Sequence, residues 1–255
     1  MRSVSGGGKK LMKEINPIER PRTLTELAYE EIKNLLTTGQ FEFDAIYSAN
    51  HFADILRVSR TPVREALLQL AVEGFLVAVQ GRGFKIRRFS EKEIKDFYET
   101  RKMIETYVIL RLGGSLTEFD FKQLTESCRR MEESADLGSI SDFLEADKEF
   151  HMSLIRRYNN LLLGSIMEDI RNLISIFGQK TLSHKGRAKE VMKEHERILK
   201  ALLQKDGKGA VDAMMDHLIT TEKYLLEDYP LNGKANKEGL PGHFTQSFLS
   251  SGENE

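Results

Sequence analysis

Cysteine is nearly absent from this chain: Cys128 is the only one in 255 residues. A single thiol excludes an internal disulfide framework and suits a reducing compartment. Long hydrophobic runs are missing too. None approaches the roughly 18–20 residues that a membrane-crossing helix needs. The N-terminus, MRSVSGGGKKLMKEINPIERPR, lacks the apolar centre of a secretory signal. These absences predict a cytoplasmic chain with no membrane partner. The residues present are 40% hydrophobic and 30% charged, which excludes both wholesale disorder and a mini-protein. The length fits one large domain or two of ordinary size.

A net charge of -1 hides an imbalance. Residues 1–89 hold 14 Lys+Arg against 10 Asp+Glu, whereas residues 90–228 hold 22 against 26. A basic first part joined to an acidic second part is expected if only the first meets a polyanion.

Four regions follow from the pattern. Residues 1–22, with Gly6-Gly7-Gly8, Pro17 and Pro21, read as a flexible leader. From Thr23 to Phe89 the periodicity predicts a helix ending near Gly39 and an extended stretch from Phe41 to Tyr47. Two compact helices at about 49–57 and 60–73 come next, then two short strands around Gln80-Gly81-Arg82-Gly83. Residues 90–228 show six amphipathic segments at about 91–112, 117–136, 139–158, 160–180, 187–205 and 207–228, with no strand pattern. Residues 229–255, rich in Gly, Asn and Ser, read as a mobile tail. The predicted fold is mostly α: a winged helix-turn-helix domain at 23–89 followed by an all-α six-helix bundle at 90–228.

In the segment NHFADILRVSRTPVREALLQLAVE, Phe52, Ala53, Leu56, Val58, Val63, Ala66, Leu67 and Leu70 can form the shared core of two crossed helices. Ser59 or Thr61 can cap the second, and Pro62 is tolerated in its first turn. Arg60, Thr61 and Arg64 then stand at its exposed N-terminal end, which a recognition helix turns toward a major groove. An Arg there can bridge the O6 and N7 of guanine. Arg82, Lys85, Arg87 and Arg88 around the hairpin are candidates for phosphate or minor-groove contacts.

The run Val58-Ser59-Arg60-Thr61-Pro62-Val63-Arg64-Glu65-Ala66-Leu67, then Glu73-Gly74-Phe75-Leu76 and Gly81-Arg82-Gly83-Phe84, resembles the winged-helix domain of GntR-family bacterial transcription regulators. The resemblance implies that Arg60, Thr61, Arg64 and Gly81 touch operator DNA. One departure is Gly39-Gln40-Phe41-Glu42-Phe43-Asp44, where the family usually carries a Pro-Gly pair.

Beyond residue 90, four ionisable side chains fall on apolar helix stripes. Asp147 and His151 interrupt Phe143, Leu144, Phe150, Leu154 and Ile155. His195 sits among Val191, Met192, Ile198, Leu199 and Leu202, and His217 among Met214, Leu218, Thr221 and Leu225. Any one buried histidine is ordinarily a hydrogen-bonded core residue. Four such groups on three helices instead suit a divalent metal, since imidazole and carboxylate both ligate first-row ions. Zinc is the favoured ion, with nickel and manganese as alternatives. Arg101 lies on the inner face among Ile94, Phe97, Ile104 and Val108 and needs an anion, either Glu105 or the carboxylate of a ligand.

Arg101 through Glu105, Phe143 through His151, Asn160, Glu194 through Ile198 and His217 are similar to the FCD ligand-binding bundle of the FadR-like branch, in its shorter VanR-like form. That resemblance implies a metal on Asp147, His151, His195 and His217, a small organic acid beside it, and a homodimer on a palindromic operator. Ile104, Val108, Leu173, Ile174 and Phe177 are candidates for both core and dimer seam. The function expected is effector-controlled transcription regulation, without enzymatic activity. A metal-dependent hydrolase using the same quartet is the rival from another class, but there is no His-Glu-x-x-His motif and no further residue placed as a general base. A DNA-binding protein with a purely structural metal is the third possibility.

Overall fold

The computed structural model describes residues 21–228, apart from residues 40 and 43. The expected leader, except its last two residues, and the expected tail lie outside the described residues.

Helix α1 (Leu24–Thr37) is opened by a capping box between Thr23 and Glu26 and buries Ala28, Ile32 and Leu36. The connection that follows folds inward rather than forming a strand. Phe41 is buried with its ring 4.6 Å from Tyr47 and 5.4 Å from Phe52, and the Glu42 N–H donates to the Tyr47 hydroxyl. Of the extended stretch expected up to Tyr47, among the described residues only Tyr47 pairs, through a bridge to Phe84.

Helix α2 (Ala49–Leu56) ends at Arg57, which adopts the left-handed conformation, and α3 spans Arg60–Val72. Ser59 occupies the α3 N-cap but makes no side-chain cap hydrogen bond. Val63, Ala66, Leu67 and Leu70 are fully buried on one face of α3. Strands β1 (Leu76–Val79) and β2 (Gly83–Ile86) form an antiparallel hairpin in which Leu76 faces Ile86 and Val79 faces Gly83. Gly83 has φ +136°, and a Cβ there would stand 2.3 Å from the Tyr47 carbonyl oxygen. Glycine is what lets the Tyr47 backbone approach.

No spacer separates the hairpin from the helices beyond it. Ser90 caps α4 (Glu91–Leu112) through a capping box with Glu93. Then come α5 (Glu118–Leu137), α6 (Ile140–Tyr158), α7 (Leu161–Leu182), α8 (Arg187–Leu203) and α9 (Gly207–Asp228). Asn160 accepts from the Leu163 N–H at the start of α7, the role of a helix cap. Helix α4 packs on α9, α5 on α6, and α8 on α9, while α6 also meets α7 and α4. Among the described residues no helix is long and apolar enough to cross a membrane.

Phe89 joins the two parts. Its ring stands 5.4 Å from Phe97 and 5.5 Å from Phe177, both edge-on. A single apolar cluster runs from Ile32, Phe52 and Leu67 through Phe89 to Tyr98, Ile170 and Leu225. Ile104, Val108, Leu173 and Phe177 are buried inside this one chain, and Ile174 is packed against the same cluster. Of the two parts open to them, Ile104, Val108, Leu173 and Phe177 take the core, and Ile174 is partly buried. The exposed apolar residues of α4 are Met103, Tyr107 and Leu110 instead.

Candidate metal centre and nucleic-acid interface

Helices α6, α8 and α9 bring Asp147, His151, His195 and His217 together, with one ligand atom from each lying within 4.8 Å of the others. His195 Nε2 is 3.3 Å from His151 Nε2 and 3.2 Å from Asp147 Oδ1, and His151 Nε2 is 3.9 Å from the same oxygen. Helical periodicity produces this. Asp147 and His151 lie one turn apart on α6, and the other two histidines sit at core-facing positions of their helices.

The far side of each ring is also engaged. His151 Nδ1 is hydrogen-bonded to Glu105. His195 Nδ1 donates to the Val191 carbonyl at 2.8 Å, and His217 Nδ1 to Glu194 at 2.7 Å. Three outward acceptors fix the tautomer with the proton on Nδ1 and turn the Nε2 lone pairs inward. Protonating the inner nitrogens is opposed. Burial lowers His151 to about 4, against the pull of Glu105. Burial and the His217 ring beside it hold His195 well below its usual value. Burial by itself would raise Asp147, but Arg171 and the histidines keep it well below the ordinary carboxylate range. Three imidazoles with their Nε2 atoms turned inward and one carboxylate, all pre-oriented, fit a divalent first-row ion.

Asp147 and His217 also form part of the wall of a cavity of about 60 Å³, which Tyr98, Arg101, Arg171 and Arg187 line as well. Arg101 is buried and donates through Nε to Glu105 at 2.7 Å. Of the two anions open to it in the sequence, Glu105 is the one it holds. One terminal nitrogen, Nη2, still has no partner. Arg171 donates to Asp147. Arg187 grips Glu194 with both terminal nitrogens, at 2.6 and 3.2 Å, and reaches Thr221 at 3.1 Å.

The sequence pattern gives Glu194, Arg171 and Arg187 no role, and it offers Glu105 only as a partner for Arg101. Arg171 carried a usable signal, because it interrupts the apolar stripe of Met167, Ile170, Leu173 and Ile174 as Arg101 interrupts its own. Glu194 carried none. It neighbours His195 in sequence and reads as part of a solvated face.

At the other end of the molecule Arg60, Thr61 and Arg64 are exposed on the first turns of α3. Gly81 is exposed at the hairpin tip with φ +70° and open space around it. Lys85 is partly exposed. Two basic residues expected to face DNA do not. Arg87 is buried and donates to Glu93 at 2.6 Å, with its guanidinium over the Phe89 ring. Arg88 makes a two-pronged contact with Asp44 at 2.7 and 2.8 Å. They lie past the end of β2, where the chain turns into α4: Arg87 braces that junction, and Arg88 ties it to Asp44 in the α1–α2 connection.

The family model for bacterial regulatory proteins of the gntR family matches residues 24–86, and the model for the FCD domain matches residues 96–220. The chain is 30% identical over 169 residues to the gluconate operon transcriptional repressor of Bacillus licheniformis, covering 66% of this chain and 68% of that protein. The chain belongs to the GntR family. It is a DNA-binding transcription regulator with an FCD domain, and the families and relatives matched are regulators rather than enzymes. The HTH-type transcriptional regulator LutR of Bacillus subtilis is 28% identical over 205 residues, covering 71% of this chain and 91% of LutR. The solved structure of E. coli McbR/YncC shares the GntR fold seen here, with a TM-score of 0.71 at 20% identity over 82% of this chain and 100% of that one.

Proposed function

We propose that this GntR-family regulator holds a divalent metal on Asp147, His151, His195 and His217. A small carboxylate effector in the adjoining cavity would control its affinity for a palindromic operator, read by a homodimer. The observation that carries the proposal is that Asp147 and His217 belong both to the ligand cluster and to the cavity wall. Zinc suits a nitrogen-rich, four-donor set first, with nickel and manganese next. When bound, the ion supplies positive charge and a Lewis-acid centre at the cavity wall. Glu105 and Glu194 orient two of the imidazoles, and Arg101 offers its free N–H to the effector.

The division of labour is DNA reading by residues 23–89 and metal, effector and dimer contacts by residues 90–228. Arg60 and Arg64 would read guanine edges, with Thr61 beside them, while the Gly81 tip and Lys85 would approach the backbone. One winged helix reads few base pairs, so two copies on a two-fold site supply the remainder. The chain would act in the cytoplasm.

Metal analysis together with operator titrations across a panel of carboxylic acids, with and without chelator, tests this. His195→Ala and His217→Ala should lose both metal and acid response, and full metal content in both variants would overturn the site. Arg101→Lys should keep metal and operator binding yet lose most of the acid response. Lysine is the safer change, because Arg101→Ala would strand a buried Glu105 carboxylate. An operator affinity indifferent to every acid while metal is bound would leave the ion a structural part only.

A further inference from the structure

Among the described residues, three buried side-chain polar atoms have no hydrogen-bond partner: Tyr98 Oη, Arg101 Nη2 and Arg187 Nε. All three residues line the same cavity. An unsatisfied buried donor costs on the order of 1–3 kcal/mol, and more when charged. Three at one place mark where an acceptor-rich ligand belongs.

The two arginines are wired alike. Arg101 holds Glu105, which holds His151 Nδ1. Arg187 holds Glu194, which holds His217 Nδ1. They come from different helices, α4 and α8, so their spare N–H groups are two separate anchors rather than one fork. The same wall carries apolar side chains from Phe143, Leu144, Ile174, Val191 and Leu225, beside the hydroxyls of Ser175, Thr181 and Thr221.

Charge gives the ligand's valence. Around the centre the buried guanidinium groups of Arg101, Arg171 and Arg187 are paired with the carboxylates of Glu105, Asp147 and Glu194, while the half-exposed Glu190, 3.4 Å from Arg187, is screened by solvent. Lys148, at the rim, is matched by Glu168. Imidazoles that ligate a metal are neutral. The protein therefore offers no net charge there, and a divalent ion would leave two positive charges buried. Buried charge is stable only when paired.

We propose that the cavity is built for a short dicarboxylate rather than a monocarboxylate, with one acidic end shared between the metal and Arg101 and the other held by Arg187. This rests on the metal reading above. Arg187 is then a specificity-determining residue, because it supplies the second anchor. The two Arg–Glu–His chains also link the ligand to the metal. An acid drawn to either arginine shares its guanidinium with the glutamate that orients a metal-binding ring, so metal and acid affinities are coupled in both directions.

Isothermal titration of the full-length protein, its metal content measured first, tests the assignment. The probes are malonate, malate and succinate against acetate and lactate, with inorganic phosphate as a dianion that has a single centre. One further charge-assisted contact contributes about 1.5–3 kcal/mol, so at least one dicarboxylate should bind about 10- to 100-fold tighter than the monocarboxylates. Arg187→Lys keeps a charge opposite Glu194 but loses the planar fork. It should shrink that preference when variant and parent are compared at equal metal loading.

Monocarboxylates binding as tightly as every dicarboxylate would overturn the two-ended ligand while leaving the metal reading intact. Phosphate matching the best dicarboxylate would overturn the separated anchors. Protein that binds no metal under any loading condition fails on the underlying reading instead. If Arg187→Lys discriminates as the parent does, the role given to Arg187 is wrong even where the dicarboxylate preference holds.

Discussion

Replacing Gly83 by alanine isolates the contact that fixes the wing. The Gly83 φ of +136° lies where an L-residue is strained, and the new Cβ would sit 2.3 Å from the Tyr47 carbonyl oxygen and 2.9 Å from its carbon. Both of those atoms are backbone, so no side-chain rotation relieves the clash. Either the β2 strand or the Tyr47 segment must move, and the movement breaks the pair of backbone hydrogen bonds joining Tyr47 and Phe84, at 2.7 and 2.8 Å. Backbone strain of this kind costs about 1–3 kcal/mol. Two lost hydrogen bonds add about 0.5–1.5 kcal/mol each, for a total near 2–6 kcal/mol. Gly81→Ala is the matched control: its φ is also positive, at +70°, but nothing lies within 4 Å of the added carbon, so only about 1–2 kcal/mol is expected. Urea unfolding of the two variants beside the parent measures the difference, and amide exchange at Tyr47 and Phe84 locates it. Equal stability losses in the two variants would refute the close-approach argument.

The other predictions concern DNA, the junction and the ion. Arg60→Ala or Arg64→Ala should cost about 1–3 kcal/mol at a selected operator, while Lys85→Ala should weaken all sequences more evenly; parent-like titrations by both Arg variants would remove α3 from the groove. Glu93→Ala removes the 2.6 Å ion pair to Arg87 and deletes the α4 capping box, so a loss of about 1.5–4 kcal/mol is expected. A change under about 1 kcal/mol in urea unfolding would show that the ion pair does not hold the junction. Stripping the metal with chelator should lower the melting temperature in proportion to RT ln(1 + [L]/Kd), about 2.7 kcal/mol when the ion stands at a hundred times its dissociation constant. A melting curve unmoved by chelator and by added zinc, nickel or manganese would count against the centre.

What the sequence carried was local. Capping pairs such as Ser90 with Glu93 and Thr117 with Asp120, and stops such as Gly113 and Gly138, mark helix ends through contacts within four residues. The alternation Leu76–Val79 and Gly83–Ile86 around a Gly-rich turn likewise names the hairpin. Asp147, His151, His195 and His217 were visible because each breaks an apolar stripe. Partners across helices were not visible. Nothing in the local pattern says that Glu105 on α4 meets His151 on α6, or that Arg187 on α8 meets Thr221 on α9. Arg87 and Arg88 were misread for the same reason. As sequence they extend a basic wing, but the turn into α4 points one at Glu93 and the other at Asp44.

On the proposed function, an effector in the cavity would reach DNA binding through the packed interior. Tyr98 and Leu225 belong to the cavity wall and to the same apolar cluster as Phe89, Phe75 and Leu67 of the DNA-reading part. Arg101 lies on α4, the helix that starts just after the hairpin and is pinned there by Arg87 and Glu93. A ligand drawn to Arg101 and Tyr98 thus pulls on side chains two or three turns from Ser90, with no flexible spacer to absorb the displacement. Close-packed interiors switch between discrete arrangements rather than deforming smoothly. The head would therefore occupy two poses, with the acid favouring one of them. The acid can shift that balance only by its difference in affinity for the two, and such couplings run to about 1–3 kcal/mol, or roughly 5- to 150-fold. Linkage makes the effect mutual. Saturating operator must change the affinity for the acid by the same factor that saturating acid changes the affinity for operator. If titration in the two directions gave different factors, the cavity and the recognition helix would not be reporting on one shared conformational equilibrium.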